Sequence, residues 1–379
     1  MPRLPPFAAL SALLLACTAS ADPTDRAAPP PPPAPAAPGA ATTTPLVPPP
    51  SPKALIEDER NTIDIFRAAA PATVFVTQTQ VVVDYWNRRT MEVPAGSGTG
   101  FLWDESGHVV TNFHVVNGGK SYTVTLYDQS EWPATLVGGD PRKDVAVLRI
   151  EAPKDRLVSV RLPAADYQLE VGQKAIAIGN PFGLDHTLTT GVVSALDREM
   201  VGFGNVTIRG MVQTDASINP GNSGGPLLDS AGRLVGMNTM IYSKSGSSAG
   251  IGFAVPVATV RRVVDQIIEK GRVEQVGIGV SVLDDQTAAR VGVRGVVIRE
   301  VTPDSPAAKA GLQGLARTRG GLRLGDVITR IDSAPIADFD DLYSALDTRQ
   351  PGDEITVTYR REGVERQVKL ALVVVNDGG

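Results

Sequence analysis

Between residues 72 and 257 the chain alternates short runs rich in Val, Ile and Thr with breaks of Gly, Pro, Asn and Asp. Runs at 72–80, 96–103, 109–115, 122–127, 144–150, 174–178, 187–195, 211–214, 234–242 and 251–257 predict strands. Many strands with almost no helix between them imply antiparallel sheets closed as barrels or packed as sandwiches. Helical patterns flank this region. Ser51-Pro52 suits an N-cap followed by Pro at the first helical position, and a helix is predicted from there to about residue 70, with Ile56, Ile63 and Phe66 along one side. A second helix is predicted over 257–270, where Val260, Val263, Val264, Ile267 and Ile268 recur at helical spacing before Gly271. From about residue 275 the pattern is that of a separate small α+β domain. Strands are predicted at 278–282, 295–301, 326–331, 355–360 and 364–372, and helices at 305–311 and 339–346.

The N-terminus differs in kind. An apolar run over 7–16 follows Arg3 and ends Leu14-Leu15-Ala16-Cys17. A basic start and a short apolar stretch read as an export signal over 1–16, and no apolar run reaches the ~20 residues that span a bilayer as a helix. The ending resembles a bacterial lipobox, which makes Cys17 the candidate lipidation site. Residues 17–53 then read as a disordered tether, because 13 Pro fall in the 30 residues from Pro23 to Pro52. Extended as polyproline II, that stretch reaches roughly 90 Å. The expected location is the cell envelope or periplasm, with membrane attachment only through a lipid anchor.

Composition narrows the chemistry. With 36 Lys+Arg against 41 Asp+Glu, the net charge of −5 argues against nucleic acid as partner. One Cys excludes an intramolecular disulfide, and one Cys with three His argues against a Cys/His zinc site. No metal or other cofactor is expected, and no complete nucleotide-binding loop suggests energy coupling.

The sharpest local signal is Gly221-Asn222-Ser223-Gly224-Gly225-Pro226. A Ser among three Gly allows a tight turn that exposes the hydroxyl and aims backbone N–H groups at a developing oxyanion. The natural donors are the amides of Gly221 and Ser223. A Ser nucleophile needs a base, normally His oriented by a carboxylate. Of His108, His114 and His186, His114 stands at the end of an apolar run, where a strand end can face a cleft. Asp140 precedes Pro141 and reads as a turn former, whereas Asp144 opens the run 144–150 and can be held by it. The order His114, Asp144, Ser223 is that of chymotrypsin-like barrels.

These strings resemble the HtrA/Deg family of serine proteases: residues 111–116 around His114, 143–148 around Asp144, and 221–226. So do residues 179–184 (Gly-Asn-Pro-Phe-Gly-Leu) and 190–193 (Thr-Gly-Val-Val). The likeness runs from about residue 62 to 372 and extends to the single-PDZ Deg proteases of the chloroplast lumen. It implies a chymotrypsin-like double β-barrel over 54–272 and a PDZ domain over 275–376. It implies an ATP-independent endopeptidase acting on unfolded or damaged polypeptides, assembled as a homotrimer or higher oligomer. By the same resemblance Ile218, Thr239, Met240 and Ile241 line the substrate pocket. Gly277, Ile278, Gly279 and Val280 form the loop that meets a peptide C-terminal carboxylate. Asn222 replaces the Asp that digestive relatives use for zymogen activation, so activation falls to loop ordering, with 183–186 and 197–206 as the movers. The insertion 313–324, with Arg317, Arg319 and Arg323, reads as a solvated basic loop. A peptide-binding scaffold with a latent protease is the alternative function.

Overall fold

Successive side chains on a strand face opposite sides, so a strand buried on both faces carries an unbroken apolar run. That is how Phe101-Leu102, Val109-Val110 and Val147-Leu148 are used. Leu102, Val109 and Leu148 fill the inside of a first barrel, while Phe101, Val110 and Val147 face a core shared with a second. The computed structural model describes residues 55–375 apart from 85–88, 184, 203–206, 242–249, 291 and 319–320. Cys17, the export signal, the Pro-rich tether and the Ser51 cap lie outside the described residues, as does Arg319; of Met240 and Ile241 only the backbone is described.

The first closed barrel comprises β1 (Thr73–Asp84), β2 (Arg89–Leu102), β3 (His108–Thr111), β4 (Ser121–Thr125), β5 (Glu131–Asp140) and β6 (Val145–Ile150). The second comprises β7 (Lys174–Gly179), β8 (Thr187–Val201), β9 (Thr207–Thr214), β10 (Pro226–Leu228), β11 (Leu234–Ile241) and β12 (Gly252–Pro256). All ladders within both are antiparallel. Helix α1 (Glu57–Ala69) opens on Glu57, Asp58 and Glu59, and Glu59 reaches back to the Ile56 N–H at 3.0 Å. Its buried residues are Ile65 and Ala69; Ile56, expected on the apolar side, is exposed. A one-turn helix α2 (Phe113–Val116) follows β3. Helix α3 (Val257–Lys270) buries Val260, Val263, Val264 and Ile267 in the shared core and stops at Gly271, whose φ of 74° suits the residue without a Cβ.

The C-terminal domain has its own core, with Ile298, Ile328, Leu342, Ile355, Val357 and Leu372 among its buried residues. Its main sheet runs β14 (Val280–Val282), β15 (Val296–Val301), β18 (Val327–Ile331), β20 (Glu354–Arg361), β21 (Val364–Ala371), with β19 (Ala334–Pro335) beside β18. A ribbon pairs β13 (Gln275–Gly277) with β22 (Val373–Val375), and the basic insertion forms a hairpin of β16 (Ala316–Thr318) and β17 (Gly321–Arg323). Helices α4 (Asp285–Arg290), α5 (Pro306–Lys309) and α6 (Phe339–Leu346) complete it; Ser305 and Asp338 cap α5 and α6 by accepting main-chain N–H groups.

Candidate active site

His114 stands one turn beyond the strand, not on it. β3 ends at Thr111, Asn112 takes an extended N-cap conformation, and α2 lifts His114 toward solvent, with 37% of its side chain exposed. The Asn112 carboxamide donates to the Asp144 carbonyl at 2.9 Å, which ties the turn bearing His114 to the turn bearing Asp144.

Asp144 is 2% exposed and holds a φ of 55°, a left-handed conformation that Asp tolerates better than most residues. Its carboxylate lies 2.9 and 3.0 Å from His114 Nδ1 and also accepts the His114 main-chain N–H at 3.0 Å. Its Oδ2 further accepts the Thr239 hydroxyl at 2.6 Å. Asp140 serves as the sequence reading expects of a turn former: it is buried and accepts the N–H groups of Arg142 and Lys143. Burial pushes its carboxyl above the ordinary carboxylate range.

Ser223 donates its hydroxyl to the Thr239 carbonyl at 2.9 Å. Thr239 therefore bridges the two barrels, touching Ser223 with its backbone and Asp144 with its hydroxyl. The sequence reading places Thr239 on the pocket wall; its side chain is instead buried and turned to Asp144. Ile218 is likewise buried, packed against Gly252 in the second-barrel core. Asp215 accepts the Val192 N–H at 2.7 Å. Asn222 is buried beside Gly179, where a Cβ would come within 2.8 Å of its carboxamide carbon. His108 pairs with Asp104 at 2.7 Å, and His186 bonds the Thr73 carbonyl at 2.8 Å, so neither reaches this cluster.

Gly221 has a φ of 102°, and a Cβ there would lie 2.6 Å from that of Pro181. The Asn222 carbonyl accepts the Gly225 N–H at 2.9 Å. Because a trans peptide points N–H and C=O oppositely, the Ser223 N–H faces the other way. Neither it nor the Gly221 N–H has a partner among the described residues.

The PDZ loop is built by the same rule. The Ile278 carbonyl accepts from Ala307 N–H at 3.0 Å, and the Gly279 carbonyl accepts from Thr302 N–H at 2.9 Å. The N–H groups of Gly279 and Val280 are thereby turned toward the groove between β14 and α6. This cavity of about 530 Å³ is also walled by Arg142 from the first barrel and by Arg262 and Gln266 from α3. Lys143, adjacent to Asp144, is buried and pairs with Asp347 at the end of α6 at 2.8 Å; Arg262 reaches the same carboxylate at 3.2 Å. The Arg142 guanidinium lies 4.6 Å from the centre of the Tyr343 ring, and burial pushes that phenol far above its ordinary range.

Comparison with known proteins agrees with this geometry. Residues 98–237 match a trypsin-like peptidase domain and residues 275–372 a PDZ domain. Protease Do-like 1, chloroplastic, of Arabidopsis thaliana is 47% identical over 324 residues, covering 85% of this chain and 74% of that protein. A probable periplasmic serine endoprotease DegP-like of Brucella suis is 41% identical over 76% of this chain, which spans about half (55%) of that protein. Among solved structures, the HtrA-type protease AlgW with decapeptide superposes with a TM-score of 0.62 at 34% identity, covering 84% of this chain and 99% of that one. The serine endoprotease from Yersinia pestis gives 0.59 at 30% identity, covering 83% and 98%. The chain belongs to the HtrA, or protease Do-like, family and is a trypsin-like serine endopeptidase with one PDZ domain.

Proposed function

We propose that this protein is an ATP-independent endopeptidase of the cell envelope that cleaves unfolded or damaged polypeptides, with Ser223 as nucleophile, His114 as base and Asp144 as orienting acid. The observation that carries this reading is the buried Asp144 carboxylate 2.9 Å from His114 Nδ1, the partner that orients an imidazole base. Ser223 Oγ attacks the scissile carbonyl carbon and passes its proton to His114 Nε2. The oxyanion that forms is met by the amides of Gly221 and Ser223. His114 then gives that proton to the leaving amine, the C–N bond breaks, and water hydrolyses the acyl-enzyme by the same steps. The Asp144 carboxylate stabilises the imidazolium.

In the PDZ groove a peptide C-terminus adds as a strand beside β14, its carboxylate on the loop Gly277, Ile278, Gly279 and Val280. Export with lipidation at Cys17, and assembly as a homotrimer or higher oligomer, complete the proposal; relatives named as periplasmic support the compartment. Mass spectrometry of the mature N-terminus tests the anchor, since an unmodified start beyond Cys17 rules it out.

A second reading, a scaffold whose protease is latent, is favoured by one observation: the Ser223 hydroxyl rests on the Thr239 carbonyl, and among the described residues it makes no bond to His114. Hydrolysis of reduced casein separates the two. The wild type should cleave it, and Ser223→Ala should lose on the order of 10⁴–10⁶ in turnover while still binding it. A Ser223→Ala protein that keeps more than a few per cent of the activity would assign the attack to another residue.

A further inference from the structure

We infer that Thr99 is a positioning residue of the catalytic turn, setting the oxyanion-binding amides through its hydroxyl; this rests on the assignment of Ser223 and of the Gly221 and Ser223 amides given above. Thr99 lies on β2 in the first barrel, 122 residues from Gly221, and is fully buried. Its hydroxyl donates to the Gly221 carbonyl at 2.5 Å and accepts the Asn180 N–H at 2.9 Å. Its own N–H donates to the Ser223 carbonyl at 2.9 Å, and its carbonyl accepts the Thr111 hydroxyl at 2.7 Å.

These bonds fix alternate peptide planes of the turn. In the plane joining Gly221 to Asn222, the carbonyl is held by Thr99 and the N–H by the Asn219 carbonyl at 3.0 Å. In the plane joining Ser223 to Gly224, the carbonyl is held by Thr99 N–H and the N–H by the Asn238 carbonyl at 2.8 Å. A planar peptide pinned at both ends has one orientation. The Ser223 N–H lies in the peptide between these two planes, and the Gly221 N–H belongs to the residue whose carbonyl Thr99 holds. Neither has a partner among the described residues; the pinned planes flank the Ser223 N–H on both sides, where the Asn222 carbonyl is also held by the Gly225 N–H, and adjoin the peptide of the Gly221 N–H on one side. Through Asn180 N–H the same hydroxyl also holds the segment whose next residue, Pro181, packs on Gly221.

The hydroxyl alone makes the Gly221 contact, so an isosteric exchange isolates it. Thr99→Val should lower kcat roughly 10- to 100-fold, as expected when reacting groups are misplaced by a fraction of an ångström to an ångström, while KM stays within about twofold. Thr99→Ser, which keeps the hydroxyl, should restore most of kcat; Thr99→Ala, which loses a similar volume without one, should not. Affinity for a peptide boronate, which mimics the tetrahedral oxyanion, should fall in parallel with kcat. Peptide binding to the Ser223→Ala and Ser223→Ala/Thr99→Val proteins should be equal. Should Thr99→Val not fold, the Ser and Ala pair carries the same comparison. A kcat within twofold of wild type in a hydroxyl-free variant, or equal losses in Ser and Ala, overturns the inference. An active Ser223→Ala control would instead overturn the assignment of the nucleophile beneath it.

Discussion

At the barrel junction, His114, Asp144, Thr239 and Ser223 are joined by bonds of 2.6–3.0 Å around a carboxylate that is 2% exposed. Where the PDZ domain meets the barrels the contacts are mostly ions and a ring: Lys143 and Arg262 on Asp347, Arg142 over Tyr343, and Arg209 on Asp340 at 3.1 Å. The first region carries one charge held by many short bonds, which suits a site whose geometry must not vary between turnovers. The second joins two domains through charge pairs that are buried or partly exposed, and water and salt can replace the more exposed of them. The two meet in the chain itself, since Arg142 and Lys143 serve the groove and Asp144 serves the cleft.

The sharpest way to break the first region is Asp144→Asn. It keeps the volume but removes the charge that fixes the His114 tautomer, and kcat on a peptide substrate should drop about 10⁴-fold with the fold intact. In the second region the largest effect should come from Asp347→Ala, which leaves Lys143 buried without its carboxylate. A loss of about 3–5 kcal/mol is expected, read from the urea midpoint at constant slope. Thr239→Val removes one bond to an ionised group while preserving shape, and kcat should fall about tenfold with circular dichroism unchanged. Smallest should be Arg209→Ala, whose pairs with Glu199, Asp340 and Asp341 are about a quarter or more exposed. Its effect on stability should stay within about 1 kcal/mol and shrink further in high salt. An Arg209 effect as large as that of Asp347 would erase the distinction between buried and exposed pairs.

Much of this was legible in the chain, for reasons that differ from residue to residue. His114, Asp144 and Ser223 stand out because each is a polar residue bordering an apolar or Gly-rich run, and three His leave few choices for the base. The barrel strands buried on both faces were legible as continuous apolar runs. β5 was not, because Pro133 and the pair Gly138-Gly139 break its pattern and only Ala134 and Asp140 are buried along it. β10 is three residues long and has no period to read. The short helix under His114 was hidden by Val115 and Val116, which continue the apolar run of β3 while turning into α2. Thr239 and Thr99 were invisible in their roles for a different reason. Their partners lie 95 and 122 residues away, and a hydroxyl inside a strand carries no mark of what it will meet.

The central claim is that the buried acid, the half-exposed base and the hydroxyl of Ser223 act as one unit. Labelling with a fluorophosphonate, followed by peptide mapping, tests it most directly. A single adduct should form on Ser223 Oγ in the wild type, and its rate of formation should fall by orders of magnitude in His114→Ala and in Asp144→Asn. Labelling at another side chain, or an undiminished rate at Ser223 in both variants, would contradict it.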